Sequence, residues 1–354
     1  MHMADALISP LVGGVMWAAS AGITVYSASK LKAGGDDRIV PLMGVLGAFI
    51  FAAQMINFSI PGTGSSGHLG GGMLLSILLG PYAAFLTLAS VLTVQALFFA
   101  DGGLLALGCN IFNLAFFPCF VAYPLIYRPI AGTQPTGKRV VAGSLVAAIV
   151  GLQLGAAAVV LETSLAGISE LPFGTFLLLM LPIHLAIGIV EGLLTAAVVS
   201  FVGSARPDIL TVAASSRQPA RHGGGRLLAG LLLLSALTGG LFSWFASPQH
   251  DGLEWAIFHS TGRETLPTPV TDAHSLAAAL QDRTALLPDY GFRQAAESGD
   301  AAAAGNVAGT GEETGKAWPD VNAGTSVSGL LGATISMLLA GLLGFILLRL
   351  RQRP

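Results

Sequence analysis

The chain has 354 residues, 53% of them hydrophobic, a mean hydropathy of +0.73 and a net charge of −2. Charged residues make up only 10%, against about 25% in an average soluble domain. So much apolar surface excludes a cytosolic globular enzyme, a disordered regulator and a disulfide-stapled secreted domain, and the small dispersed charge gives no footing for nucleic acid.

What remains is an all-α polytopic membrane protein, because only helices and closed barrels satisfy their backbone in lipid. The apolar runs are long and unbroken, unlike the short alternating segments of a barrel. They fall at 7–29, 40–57, 71–80, 82–100, 104–127, 139–162, 174–204, 227–246 and 327–348. The third is too short to cross alone, since a crossing takes about 20 residues. Residues 71–100 are nonetheless too long for one straight helix, and Gly80-Pro81 divides them. Lys30, Lys32 and Arg38 follow the first run, and Arg128, Lys138 and Arg139 follow the fifth. Arg206, Arg217, Arg221 and Arg226 follow the seventh, and Arg349, Arg351 and Arg353 end the chain. These clusters share one side only if 71–100 crosses twice. Positive-inside then predicts nine spans, about seven in a first bundle and two more beyond it, with the N-terminus outside and the C-terminus cytoplasmic. The first run has no Lys or Arg before it, so no cleavable signal is read and the chain is expected to begin at Met1.

The chemistry begins at the first two residues. His2 is too large to permit removal of Met1. The Met1 amine, the His2 amide nitrogen and the His2 imidazole can then close two fused chelate rings on one ion. Such a planar nitrogen clamp suits Ni(II) and Cu(II); a frayed terminus carrying one histidine is the plain alternative. Residues 58–72, rich in Gly and Ser, form the next external loop and carry His68. Gly permits close backbone approach, so this loop either folds inward with its imidazole or is a simple connector. Polar residues inside apolar runs come next: Gln54 and Asn57, Asn110 and Asn113, then His184 and Glu191 on one helical face. Such groups either line a pathway or bond between helices. Cys109 and Cys119 lie too far apart on one helix to bond and read as core thiols. Gly132-Thr-Gln-Pro-Thr-Gly-Lys138-Arg139 lacks the closing Ser/Thr of a P-loop and reads as a cytosolic turn, so ATP is not hydrolysed by this chain. A basic linker, 205–226, separates the first bundle from a span, an acidic external segment 247–326 and a last span. That segment holds eleven Asp and Glu, reads as largely mobile, and carries His250 and His259 as candidates for metal delivery.

The opening Met1-His2-Met3-Ala4-Asp5-Ala6-Leu7, Phe51-Ala-Ala-Gln54-Met-Ile-Asn57-Phe58, Gly-Ser-Ser66-Gly-His68-Leu-Gly, Phe99-Ala-Asp101 through Asn110, and His184 through Glu191-Gly192 together resemble the CbiM/NikM family over residues 1–204. These are substrate-specific membrane subunits of energy-coupling-factor importers for cobalt or nickel. The resemblance implies metal ligands at Met1, His2 and His68. Asp5, Ser66, Asn57, Asn110, His184 and Glu191 are candidates to brace the ligands or line a path. Ala4 and Ala6 depart from the family's Pro and Gly. Residues 227–354 resemble the companion CbiN/NikN subunit of PDGLE type, through Pro248-Gln-His250-Asp251-Gly252-Leu253-Glu254, with two residues separating Pro from the core of the motif.

The expected function is therefore the metal-capturing membrane component of an ABC-type importer of Ni2+ or Co2+, the latter for cobalamin biosynthesis. It would sit in a prokaryotic plasma (cell inner) membrane, with a CbiQ/NikQ-like coupling subunit and CbiO/NikO-like ATPases as partners and no catalytic cofactor. A metal-responsive membrane sensor and an intramembrane enzyme using His184 and Glu191 are the alternatives.

Overall fold

The computed structural model describes residues 2–34, 39–133, 135–205, 224–263, 266–293 and 318–350. After a single 3-10 turn at Asp5–Leu7, the chain runs through α1 (Pro10–Gly34), α2 (Ile39–Gln54), a two-stranded hairpin of β1 (Phe58–Ile60) and β2 (Ser65–Gly67), α3 (Gly72–Leu79) and α4 (Pro81–Phe98). Then come α5 (Leu107–Ala131), α6 (Gly137–Ala166), α7 (Phe173–Ala205) and α8 (Gly224–Gly240). Two shorter helices follow, α9 (Gly252–Thr261) and α10 (Asp272–Thr284), and α11 (Ala323–Arg349) closes the series.

Among the described residues, α1, α4, α5, α6, α7 and α11 are long and apolar enough to span a bilayer. The expected third span differs. Helix α3 has eight residues, all buried, which at 1.5 Å per residue gives about 12 Å, less than half the hydrocarbon thickness. It is a half-helix packed inside the bundle, and Gly80 (φ 76°) with Pro81 at the start of α4 makes the turn. Helix α5 is wound in wide π turns over Phe112–Tyr127, where Pro118 and Pro124 lack amide donors. The P-loop-like stretch is a turn: Gly132 (φ 69°) ends α5, and the Thr136 side chain accepts from the Arg139 amide at the start of α6.

Helix α11 presents Ser328, Gly332, Ser336, Ala340 and Gly344 as a buried ladder at every fourth residue. Small side chains let backbones approach where no hydrophobic drive exists between helices in lipid. The contact is close enough that a Cβ on Gly332 would lie 1.9 Å from the Phe51 ring of α2, and one on Gly329 would lie 2.1 Å from the Gly239 carbonyl of α8.

The described part of segment 247–326 is built of helices tied to the bundle. Asp251 caps α9 with a reciprocal capping box to Glu254, and Thr271 caps α10. Leu253, Ala256, Ile257 and Leu287 are buried. The amides of Leu286 and Leu287 donate to the Phe98 carbonyl, and that of Asp289 to the Phe99 carbonyl. These fixed contacts to the ends of α4 explain the order, since they satisfy loop amides that would otherwise face water. Residues 294–317 of the segment and 206–223 of the linker lie outside the described residues.

Candidate metal centre

The amino-terminal segment from His2 threads into one end of the bundle. Asn110 grips Met3 twice, accepting from its amide at 2.8 Å and donating to its carbonyl at 3.2 Å. The Gly103 amide donates to the Met3 carbonyl at 2.9 Å, and the Ala106 amide to Asp5 Oδ1 at 2.9 Å. Gly103 has to be glycine for this seat, because a Cβ there would fall 1.9 Å from Asp5 Oδ1. Ala4 sits at φ −81° and Ala6 is not among the left-handed residues, so neither departure from the family pattern demands a Gly or prevents a Pro-like turn.

The seat brings His2 to His68. Their rings stack with centroids 5.0 Å apart. His2 Nδ1 pairs with Asp101 Oδ1 at 2.7 Å, while His2 Nε2 is buried and has no hydrogen-bond partner among the described residues. Asp101 stands on a turn with two left-handed residues, Ala100 (φ 55°) and Gly102 (φ 81°); for alanine that conformation costs about 1–2 kcal/mol. The Tyr290 hydroxyl, from the external segment, donates to Asp101 Oδ2 at 2.5 Å. Burial alone would favour a protonated Asp101, but the adjacent His2 and the hydrogen bonds from His2 and Tyr290 hold its carboxyl well below the usual range. The same buried carboxylate, with burial itself, pushes the Tyr290 hydroxyl well above its ordinary value.

The hairpin loop folds inward to deliver His68. Glu191 accepts the Gly70 amide at 2.7 Å, Gln54 donates to the Gly70 carbonyl at 3.0 Å, and Gln95 donates to Gln54 at 3.0 Å. Burial, with the His2 ring beside it, lowers His68 to about 3. The imidazole is therefore neutral at ordinary pH, the form that binds metals.

Segment 247–293 packs over this site in its described residues. Ser66 donates through its amide to the His250 carbonyl at 2.7 Å and through its hydroxyl to the Gln249 carbonyl at 2.7 Å. The Ser247 amide donates to the Asn57 carbonyl. His274 Nε2 sits 3.2 and 3.0 Å from the Asp5 and Ile8 carbonyls, and Gln281 donates to the Ala96 and Gly102 carbonyls. Asp251 and Gly252 line one cavity with Gly67, His68 and His184. Burial disfavours a charged Asp251, but the hydrogen bond from the Glu254 amide holds its carboxyl low.

The sequence-level candidates thus separate. His2 and His68 come together; Asp5, Asn110 and Ser66 hold backbone around them; Glu191 pins the loop; His184 lines the adjoining cavity; and Asn57 contributes its carbonyl. Met1 lies outside the described residues. Asn113 bonds Glu162 at 2.7 Å, an interhelical tie. His250 and His259 are exposed, His250 next to Glu254 and His259 on the Trp255 ring. Among the described residues no three His, Cys, Asp or Glu side chains converge on one point as a metal cage. Sequence reasoning assigned no role to Asp101, Tyr290, Asp251, His274 or Gln281. Asp101 and Asp251 stood inside quoted motifs; the other three carry no local signal.

This bundle is shared with a solved truncated transition metal transporter, at 33% identity and a TM-score of 0.52, covering 58% of this chain and 99% of that one. A putative fused nickel transport protein NikMN of Archaeoglobus fulgidus is 39% identical over 218 residues, 59% of this chain and 68% of the relative. A putative metal transport protein of Haloquadratum walsbyi is 40% identical over 214 residues, 59% of this chain and 93% of the relative. The fused nickel transport protein NikMN of Rhodobacter capsulatus is 30% identical over 249 residues, 67% and 71% of the two chains. The fold is that of a polytopic helical membrane component of metal uptake, a transport component and not an enzyme. The model of the CbiM family, the cobalt uptake substrate-specific transmembrane region, matches residues 2–209, and the chain belongs to that family. A PDGLE domain model matches residues 225–349 of the same chain.

Proposed function

We propose that this chain captures Ni2+ or Co2+ at the outer membrane face for an energy-coupling-factor importer. Residues 1–204 are the metal-binding domain, 205–226 a cytoplasmic linker, and 227–354 the companion domain with its external segment. The N-terminus is outside and the C-terminus cytoplasmic, in a prokaryotic plasma membrane, with the inward-folded loop before α3 and α3 itself together making the third crossing. A CbiQ/NikQ-like coupling subunit and CbiO/NikO-like ATPases complete the system.

The observation that carries the reading is the buried stack of His2 on His68. His2 is bonded to Met1, so wherever its imidazole sits the amine lies within chain reach. The ligands are then the Met1 amine, the His2 amide nitrogen, the His2 imidazole and His68. The chelate ring from the His2 amide closes through Cα, Cβ and Cγ onto Nδ1. That nitrogen is engaged by Asp101, so capture requires a half-turn of the imidazole about Cβ–Cγ. Four nitrogens in a plane favour nickel on ligand-field grounds. The ion sits under the external segment until the partners, driven by ATP, reopen the bundle inward.

The test is equilibrium titration of purified protein with Ni(II) and Co(II), beside a version extended before Met1. The native chain is expected to bind one equivalent that the extended chain loses. Equal binding by both removes Met1 from the ligand set. Uptake of radiolabelled metal only when coupling subunit and ATPases are co-expressed distinguishes an importer from a membrane sensor.

A further inference from the structure

The cavity beside His68 has walls of unequal strength. On the bundle side Leu114, Leu152 and Ile187 close it, one from each of the packed helices α5, α6 and α7. On the other side stand Asp251 and Gly252 at the head of α9. Asp251 lines the cavity and is itself partly exposed, and Pro248, Gln249 and His250 before it are exposed. A single thickness of chain therefore covers the cavity here. That strip lies along the hairpin. The Ser247 amide donates to the Asn57 carbonyl at 2.7 Å, and the Ser59 and Ser247 hydroxyls meet at 2.8 Å. The Ser66 amide donates to the His250 carbonyl at 2.7 Å, the Ser66 hydroxyl donates to the Gln249 carbonyl at 2.7 Å, and Ser66 pairs with Asp251 as a parallel bridge. No residue from Ser247 to Asp251 is buried. A strip held by hydrogen bonds, with no apolar side chain sunk into the core, belongs to the part of a fold that opens most readily. The flanks are firmer. Tyr290 stacks on Phe99 with centroids 5.1 Å apart and bonds Asp101, and Gln281 bonds two carbonyls. Helix α9 is seated so closely that a Cβ on Gly252 would lie 2.5 Å from Ile183. The strip can lift while both neighbours stay in place.

We propose that residues 247–251 are a lid, supplied by the PDGLE half of the chain, that parts from the hairpin each time a divalent cation reaches or leaves His68. This rests on the reading of His2 and His68 as the capture pair. Ser66, which carries two of the lid's hydrogen bonds, is only two residues from His68, so the lid and the imidazole loop are joined directly. Opening exchanges these hydrogen bonds for water and changes nothing else. The lid sets the rate at which the site fills and empties, and the ligands set its affinity.

The test staples the lid shut. Ser59→Cys together with Ser247→Cys puts thiols where two hydroxyls now touch, outside the proposed ligand set, and the native Cys109 and Cys119 are buried. The full chain in detergent is compared with its new disulfide formed and with both new thiols methylthiolated, so that neither sample offers a thiolate to the metal. Ni(II) loading and release into excess chelator are timed. Stapling is expected to slow loading by at least about tenfold, within what a disulfide does to an opening equilibrium, and protein loaded before stapling should keep its ion longer by a similar factor. Equal rates in the two samples overturn the lid. So does stapled protein that loads slowly yet, stapled after loading, loses its ion faster than the methylthiolated form, because a damaged site behaves in that way and a closed one does not. A metal-free measurement separates the lid from the capture reading. Modification of His68 by diethyl pyrocarbonate, mapped by mass spectrometry, should be slowed by the staple. If the wild-type chain binds no Ni(II), the capture reading fails, and this protection alone then decides the lid: protection upholds it and equal modification overturns it.

Discussion

Replacing Gly103 with alanine places a methyl carbon 1.9 Å from Asp5 Oδ1 and 2.5 Å from the Asp5 amide nitrogen. Gly103 is not a left-handed glycine, so the backbone tolerates alanine and the whole effect is steric. The amino-terminal strand has to lift. Lifting it breaks four hydrogen bonds: Gly103 and Asn110 to the Met3 carbonyl, the Met3 amide to Asn110, and Ala106 to Asp5. At about 1 kcal/mol each, docking loses about 4 kcal/mol. Apparent affinity falls with the fraction of molecules still docked, so metal Kd rises by up to about 1000-fold. The assay is Ni(II) titration of detergent-purified protein with its native terminus. Gly14→Ala, where nothing lies within 4 Å of the new carbon, is the control and should bind as wild type. A folded Gly103→Ala protein that binds within threefold of wild type would refute the claim that the seated terminus makes the site.

Glu191→Ala frees the buried Gly70 amide and is expected to weaken metal binding by about 1–3 kcal/mol, whereas Glu191→Gln keeps an acceptor and should lie between; isothermal titration ranks the three. Gly332→Ala overpacks α11 against Phe51 and should cost about 1–3 kcal/mol, read as a lower Tm in detergent, while Gly341→Ala, with its nearest neighbour at 3.8 Å, should leave Tm unchanged. His68 is held at about 3 in the fold, against 6.5 ordinarily. The unfolded chain therefore takes up the proton first, and stability complete above pH 6.5 is lost as pH falls towards 3. Metal-free protein should show this acid sensitivity in urea titrations and His68→Gln should lose it. For the same reason His68 releases no proton on binding metal near pH 7, so calorimetry in buffers of differing ionisation heat should give the same proton count for wild type and His68→Ala, wherever the latter still binds.

The interlock of the two halves sets how such variants are to be understood. Tyr290 reaches Asp101, which reaches His2; Ser66 holds the backbone of Gln249 and His250. A change in residues 247–292 is thus a change at the metal centre, although it lies far along the chain. Tyr290→Phe should leave Asp101 with one hydrogen bond fewer and shift metal affinity without unfolding the bundle.

The amino-acid sequence by itself determined the membrane class, the placement of most helices and the pairing of His2 with His68 as candidates. Hydropathy is a local property, and a chelating terminus is a matter of three consecutive atoms groups that no fold has to assemble. It overestimated the reach of 71–80, because a buried half-helix and a crossing helix have the same apolar composition. It read much of 247–326 as mobile; in the described part, 247–263 and 266–293, the carbonyls of Phe98 and Phe99 and the buried faces of α9 and α10 tie the chain down, none of them visible in local composition. Only the tertiary structure decided which polar residues meet. Asn110, Glu191 and His184 read alike as polar residues in apolar helices; one grips Met3, one pins Gly70, and one faces a cavity. Those fates depend on contacts across more than a hundred residues of chain, fixed by helix packing rather than by any spacing along it.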